Sequence, residues 1–262
     1  MAHTGRTDAA IRSHRNDTSV LTMHSTQLAT RVQMQAVIMP LKIGIEAPQP
    51  VSGLYLYPPD ARASFVFAHG AGAGMTHPFM EAIAAGLFER AIATLRYQFP
   101  YMEKGAKRPD APASAHATVR AAVAEAARRC PDLPHIAGGK SFGARMTSQA
   151  QAASPLPGVL GLAFLGFPLH PAGKPSDERA THLFDVTIPM LFLQGTRDKL
   201  ADLPLLRRLV EKLGSRASLH LFEDADHSFH VPARSGRNDR MVMDELLDVL
   251  ASWMNRLTQT RA

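Results

Sequence analysis

The residues best suited to chemistry begin at Gly139-Lys140-Ser141-Phe142-Gly143, a serine set between two glycines in the pattern G-x-S-x-G. A serine hydroxyl is a weak nucleophile until a nearby base takes its proton. The pattern gains meaning when a strand enters it and a helix leaves it, because the turn is then sharp enough to push the hydroxyl off the sheet edge. Ile136 and Ala137 form a minimal strand before it, and Phe142 to Ala153 reads as a helix rich in small residues after it. Gly139 and Gly143 leave room where side chains would clash with neighbouring backbone. The hydroxyl would then lie at a helix N-terminus, whose positive end favours developing negative charge. Gly139-Lys140-Ser141 also ends like a phosphate-binding loop, but that motif needs a glycine five positions before Gly139, where Pro134 stands.

A nucleophilic serine requires a base, and the base requires an acid to orient it. Asp198 follows the strand-like run Pro189 to Leu193, so its carboxylate is expected at the C-terminal edge of a sheet. Asp202 is the competing acid, and it is better explained as the cap of a helix that carries Pro204 in its first turn. His227 lies in a loop between the strand Ser218 to Phe222 and the terminal helix, which makes it the expected base; His230 is the alternative. Ser141, Asp198 and His227 follow one of the chain orders in which such triads occur. His69 precedes Ser141 and is expected to be structural.

An oxyanion needs donors, and the glycine-rich run His69-Gly70-Ala71-Gly72-Ala73-Gly74 follows the strand Ser64 to Ala68. The expected donors are the Phe142 N–H and a backbone N–H of the Gly70–Ala71 segment. Met75, Phe79, Tyr97, Phe99 and Met102 fall near strand ends and are candidates for an apolar acyl pocket, with core packing the competing role for each. Lys140 could favour an anionic substrate, or be solvated or paired.

These residues need a scaffold, and the chain supplies strands alternating with helices. Strand-like runs are Leu41 to Ile45, Gly53 to Tyr57, Ser64 to Ala68, Ile92 to Tyr97, Ile136 to Ala137, Val159 to Phe167, Pro189 to Leu193 and Ser218 to Phe222. Helical spacing marks Pro78 to Glu89, Ala111 to Arg129, Phe142 to Ala153, Leu205 to Leu213 and Met241 to Leu257. Such alternation predicts an α/β fold, a mostly parallel twisted sheet with helices on both faces. Pro168 to Thr187 is the longest irregular stretch, too short for a large cap domain. Residues 1–33 are expected to be a disordered tail ahead of one domain over 34–262.

Composition narrows the function classes. With 262 residues, 45% of them hydrophobic, the chain can build a core without disulfides or metals. The single cysteine, Cys130, can form no internal disulfide, which fits a reducing, cytoplasmic setting. No Cys/His cluster has zinc-ligand spacing, so neither metal nor cofactor is expected. The net charge of +6 is scattered and lacks a basic stripe with interleaved aromatics, so a nucleic-acid partner is not expected. No apolar run nears the roughly 18 residues of a membrane span. The expected partner is a small acyl substrate.

Five segments carry a family resemblance: Phe67 to Gly74, Gly138 to Met146, Phe167 to Pro171, Leu193 to Asp198, and Asp226 to Phe229. Together they resemble the dienelactone-hydrolase-like α/β-hydrolases. The nearest likeness is to a small predicted-hydrolase family with a G-K-S-x-G turn, whose animal relatives include a chromatin-complex subunit. The resemblance implies the α/β-hydrolase fold and a triad of Ser141, Asp198 and His227. Dienelactone hydrolases carry Cys where this chain has Ser141, which favours a simple serine esterase. The likeness extends to members without enzymatic activity, so a catalytically idle interaction module is the alternative.

Overall fold

Successive side chains of a strand point to opposite sides, and the strand Ala63–Ala68 buries both sides. Phe65 and Phe67 enter one hydrophobic layer, Val66 and Ala68 the other. A strand apolar on both faces belongs inside a sheet covered twice. The computed structural model, which describes residues 34–41 and 49–259, has that architecture.

In chain order the elements are β1 (Met34–Leu41), β2 (Gln49–Leu56), β3 (Ala63–Ala68), α1 (Pro78–Phe88), β4 (Ile92–Tyr97), α2 (Pro100–Glu103) and α3 (Pro112–Arg129). Then follow β5 (His135–Lys140), α4 (Phe142–Ala153), β6 (Val159–Leu165), β7 (Met190–Gly195), α5 (Leu203–Leu213), β8 (Ala217–Phe222) and α6 (Asp239–Gln259). The strands form one eight-stranded sheet in the order β1-β2-β4-β3-β5-β6-β7-β8. Only β2 runs against its neighbours, pairing antiparallel with β1 and β4. The rest of the sheet is parallel.

Helices cover both faces. Met80 and Ile83 of α1 pack with Val242 and Leu246 of α6 in one layer. Val119 of α3, Ala144 of α4 and Leu206 of α5 lie in the other. The α5 sequence shows why it docks: Leu206, Leu209 and Leu213 recur at helical spacing and are buried, while Arg207 and Arg208 are exposed. Its N-terminus is sealed by Asp202, whose carboxylate accepts from the Leu205 N–H at 3.0 Å. Proline stands in the first turn of α1, α3 and α5, where its missing N–H costs no hydrogen bond.

The expected fold class is the one observed. The main differences lie at the edges. The strand expected over Leu41 to Ile45 is met only at Leu41, because β1 is drawn from 34–41 and 42–48 lie outside the described residues. The tail expected over 1–33 also lies outside them. Among the described residues, the stretch after β6 holds no cap domain, only a 3-10 turn over Glu178–Asp185. Also among them, no helix is long and apolar enough to cross a membrane, and no His/Cys/Asp/Glu group could hold a metal.

The topology marks where a site belongs. β3 sits between β4 and β5, so the chain leaves β3 to one side and later returns on the other. Open parallel sheets hold ligands at the carboxyl ends of strands where this switch occurs. The loop after β3 begins at His69, and the residue after β5 is Ser141.

Candidate active site

The turn from β5 into α4 is tight because nothing occupies the space of two side chains. A Cβ on Gly139 would lie 2.6 Å from the Gly143 carbonyl carbon, and one on Gly143 would lie 2.5 Å from the Ala68 oxygen. Ser141 pivots between them with φ 51° and ψ −111°, a conformation that L-residues rarely adopt. Its N–H donates to the Leu165 carbonyl at 3.2 Å, which ties the strained residue to β6.

The partner loops come from β7 and β8. A Cβ on Gly195 would lie 2.3 Å from the Ala225 oxygen, so glycine lets the two loops meet. The Arg197 N–H then donates to Ala225 at 2.9 Å. Beyond it, the Asp226 carboxylate accepts from Ser228 N–H at 2.8 Å and His230 N–H at 3.0 Å. That knot holds His227 outward from the loop.

Asp198, His227 and Ser141 meet in a line. The His227 Nδ1–H donates to Asp198 Oδ2 at 2.6 Å. An ionised carboxylate can only accept, so the proton resides on Nδ1 and leaves Nε2 as the basic atom. Nε2 stands 2.9 Å from Ser141 Oγ. Asp198 is buried, and its oxygens receive two further donors: the Leu200 N–H at 2.8 Å and the Gln194 amide at 2.5 Å. Such charge-assisted hydrogen bonds make a buried carboxylate tolerable. Gln194 also accepts from the Phe167 N–H at 2.9 Å, which fastens the segment after β6 to the acid.

The competing residues His230 and Asp202 have other partners. His230 is exposed and turned to Asp239, at 2.8 Å, which raises its pKa. Asp202 caps α5 and its N–H donates to His170 Nε2 at 2.8 Å.

His69 is fully buried, 30 residues from its partner in sequence. Its Nε2 accepts from the Phe99 N–H at 3.1 Å, so the proton sits on Nδ1, which donates to the Gly70 carbonyl at 2.8 Å. Burial lowers its pKa to about 4 and keeps it neutral. The Gly70 oxygen also accepts from Ala73 N–H at 3.3 Å. A trans peptide holds its N–H opposite its carbonyl, so fixing the Gly70 oxygen fixes the Ala71 N–H on the other side. The Gly72 N–H is committed to Tyr101 Oη at 3.0 Å.

Lys140 turns inward. Its Nζ lies 5.8 Å and 5.4 Å from the ring centroids of Phe79 and Phe229 and donates to the His227 carbonyl. Those rings stack at 5.8 Å. Burial lowers its pKa to about 8, against the opposing pull of Asp198 and Asp226.

Two cavities open beside Ser141 and share Ala71 and Leu200 on their walls. One, of about 480 Å³, is bordered by His227, Ser228, Phe79 and Lys140. The other, of about 340 Å³, is bordered by Phe142, Met146, Pro168, Arg145 and Arg179. Of the aromatic and methionine residues expected to line a pocket, Phe79 alone borders either cavity. Tyr97 and Phe99 are instead fully buried, because their rings pack edge-on to each other and Phe99 packs edge-on to His69 and Phe142. Met75 and Met102 border neither cavity, and Met102 packs against the core.

Gln194 and the two arginines were not singled out in the sequence. Arg145 had a usable signal: it follows Ser141 by one helical turn, on the same face. Arg179 had none, since it sits in an irregular segment.

A parallel sheet that delivers a strained serine, a histidine and an aspartate to one edge is the architecture of the α/β-hydrolases. The chain belongs to that family, with residues 61–255 matching the alpha/beta hydrolase domain. Its fold is similar to a dienelactone hydrolase from Anabaena variabilis, with a TM-score of 0.65 and 20% identity over 86% of this chain and 98% of that one. It is also similar to a serine hydrolase without lid from Xanthomonas campestris, with a TM-score of 0.64 and 21% identity over 84% of this chain and 95% of that one. An esterase domain from Rhodothermus marinus matches with a TM-score of 0.63 and 16% identity, over 86% of this chain and 98% of that one.

Proposed function

We propose that the protein is a serine hydrolase that cleaves carboxylic esters through an acyl-enzyme. The observation that carries this reading is the hydrogen-bonded line from Asp198 through His227 to Ser141. His227 Nε2 takes the hydroxyl proton as Ser141 Oγ attacks the ester carbonyl. Asp198 holds the imidazole in the tautomer with Nδ1 protonated and offsets the positive charge that forms. The oxyanion is received by the Phe142 N–H, which has no intrahelical acceptor in the first turn of α4, and by the Ala71 N–H. His69 is a positioning residue here, because it sets the Gly70–Ala71 peptide. His227 then returns the proton to the departing alkoxide, and the alcohol leaves. Water, activated by the same nitrogen, releases the acid and restores Ser141. The relatives described as a serine hydrolase and an esterase support the class of reaction.

The test is hydrolysis of short-chain ethyl esters followed by proton release. The wild type should turn them over, and Ser141→Ala should lose the rate by several orders of magnitude with its melting temperature retained. Turnover that survives the substitution would sink the mechanism. No turnover by folded wild type would favour the idle interaction module.

A further inference from the structure

Two arginines border a cavity that opens beside the nucleophile, and among the described residues neither is paired with a carboxylate. Arg145 lies one turn into α4 from Ser141, and Arg179 lies on the 3-10 turn packed against that helix. Both border the smaller cavity at Ser141. Among the described residues neither forms an ion pair, and the Arg145 Nε is buried with no hydrogen-bond partner. Burial, and then repulsion from Arg179, lower the Arg145 pKa, so the two like charges feel each other. A guanidinium on a partly buried wall gains from a hydrogen-bond acceptor, which a ligand in the cavity would supply.

Asp110 also borders the cavity, but its carboxylate accepts from the Tyr101 N–H at 2.9 Å and pairs with neither arginine. His182, adjoining Arg145, donates to or accepts from Ser148 Oγ at 2.8 Å, and burial followed by the Arg145 charge lowers its pKa to about 4, so it is neutral. The wall therefore carries two cations against one anion. The remaining lining is largely apolar, with Phe142, Met146, Pro168 and Leu200.

The position of His227 tells which half of an ester this cavity takes. The leaving oxygen must reach His227 Nε2 to collect its proton, and His227 borders only the larger cavity. The acyl chain is then left for the smaller one.

We propose that the Arg145–Arg179 cavity binds a carboxylate at the far end of the acyl chain, so that the preferred substrates are half-esters of short dicarboxylic acids. Arginine suits a carboxylate because its planar fork can give two parallel hydrogen bonds. In the reaction the acyl–oxygen bond breaks, the alcohol departs with the proton from His227, and water supplies the hydroxyl of the second carboxyl group. This assignment rests on the serine-hydrolase reading.

The experiment compares kcat/KM for monoethyl glutarate and ethyl valerate, which have acyl chains of equal carbon number, by proton release at neutral pH. The wild type is expected to prefer the charged ester by about tenfold or more, the order expected for a charge-assisted contact. Arg145→Gln and Arg179→Gln should each bring the ratio towards one, while Arg207→Gln, on the exposed side of α5, should leave it unchanged. Added salt should compress the wild-type ratio. Cleavage of ethyl valerate with no preference for the charged ester, or a preference that survives both substitutions, would overturn the cavity assignment and leave the hydrolase reading standing. Cleavage of neither ester with Ser141 still reactive to a fluorophosphonate would also overturn the assignment. Cleavage of neither with Ser141 inert would overturn both.

Discussion

His69 places a pH limit on the fold. The neutral ring accepts from Phe99 N–H on one nitrogen and donates to Gly70 on the other. A second proton would remove the acceptor and put a charge in a dry site, so burial holds the pKa at about 4 against an ordinary 6.5. Between those values the unfolded chain binds a proton that the folded chain refuses. The contribution is full above pH 6.5 and is lost as the pH falls to about 4, a change of about 3 kcal/mol. His182, partly exposed and also held at about 4, adds a smaller part in the same window. Urea midpoints should therefore fall from pH 6.5 to pH 4.5, and His69→Gln should flatten part of that slope. An unchanged slope in the variant would remove His69 from the explanation. The meeting of Ser141, Asp198 and His227 was legible at this scale because their types, order and strand-end positions are written in the chain. Gln194 and the inward turn of Lys140 were not, because a side chain's direction depends on loops that only the fold brings near.

The β5–α4 turn rests on contact between backbones. Gly143 faces the Ala68 carbonyl of β3, and a Cβ there would meet it at 2.5 Å. That carbonyl belongs to a central strand and cannot retreat without disturbing the sheet. Gly158, in contrast, has φ 73° and nothing within 4 Å of its would-be Cβ, so alanine there brings only backbone strain. Gly143→Ala should cost about 1–3 kcal/mol or more, and Gly158→Ala about 1 kcal/mol. Thermal unfolding of both variants decides it, and equal losses would mean that close approach does not set the turn. Elements between clear turns were legible: the strand Ile92–Tyr97 and the helix Phe142–Ala153 have the bounds expected from the sequence. The four-residue α2 was missed because it is a single turn with no period to detect. For Tyr97 and Phe99 the sequence left pocket and core both open, because a strand end offers an outward and an inward direction, and these rings took the core.

At the scale of the molecule, one topological switch brings the chemistry together. In the proposed mechanism the loop after β3 supplies the Ala71 N–H, the turn after β5 supplies Ser141, and the loops after β7 and β8 supply Asp198 and His227. All come from the carboxyl ends of parallel strands, so a single sheet fixes their separation. The alternating pattern made this architecture legible from the sequence. The paired arginines were hidden, because Arg179 reaches the site from an irregular segment that only packing against α4 positions.

The most direct test of the Ser141–His227–Asp198 line is reaction with a fluorophosphonate, read by intact mass and peptide mapping. Wild-type protein should gain one adduct, on Ser141, while Ser141→Ala should gain none and His227→Ala should react far more slowly. An unlabelled wild type, an adduct on another residue, or His227→Ala reacting at the wild-type rate would contradict an activated serine at this site.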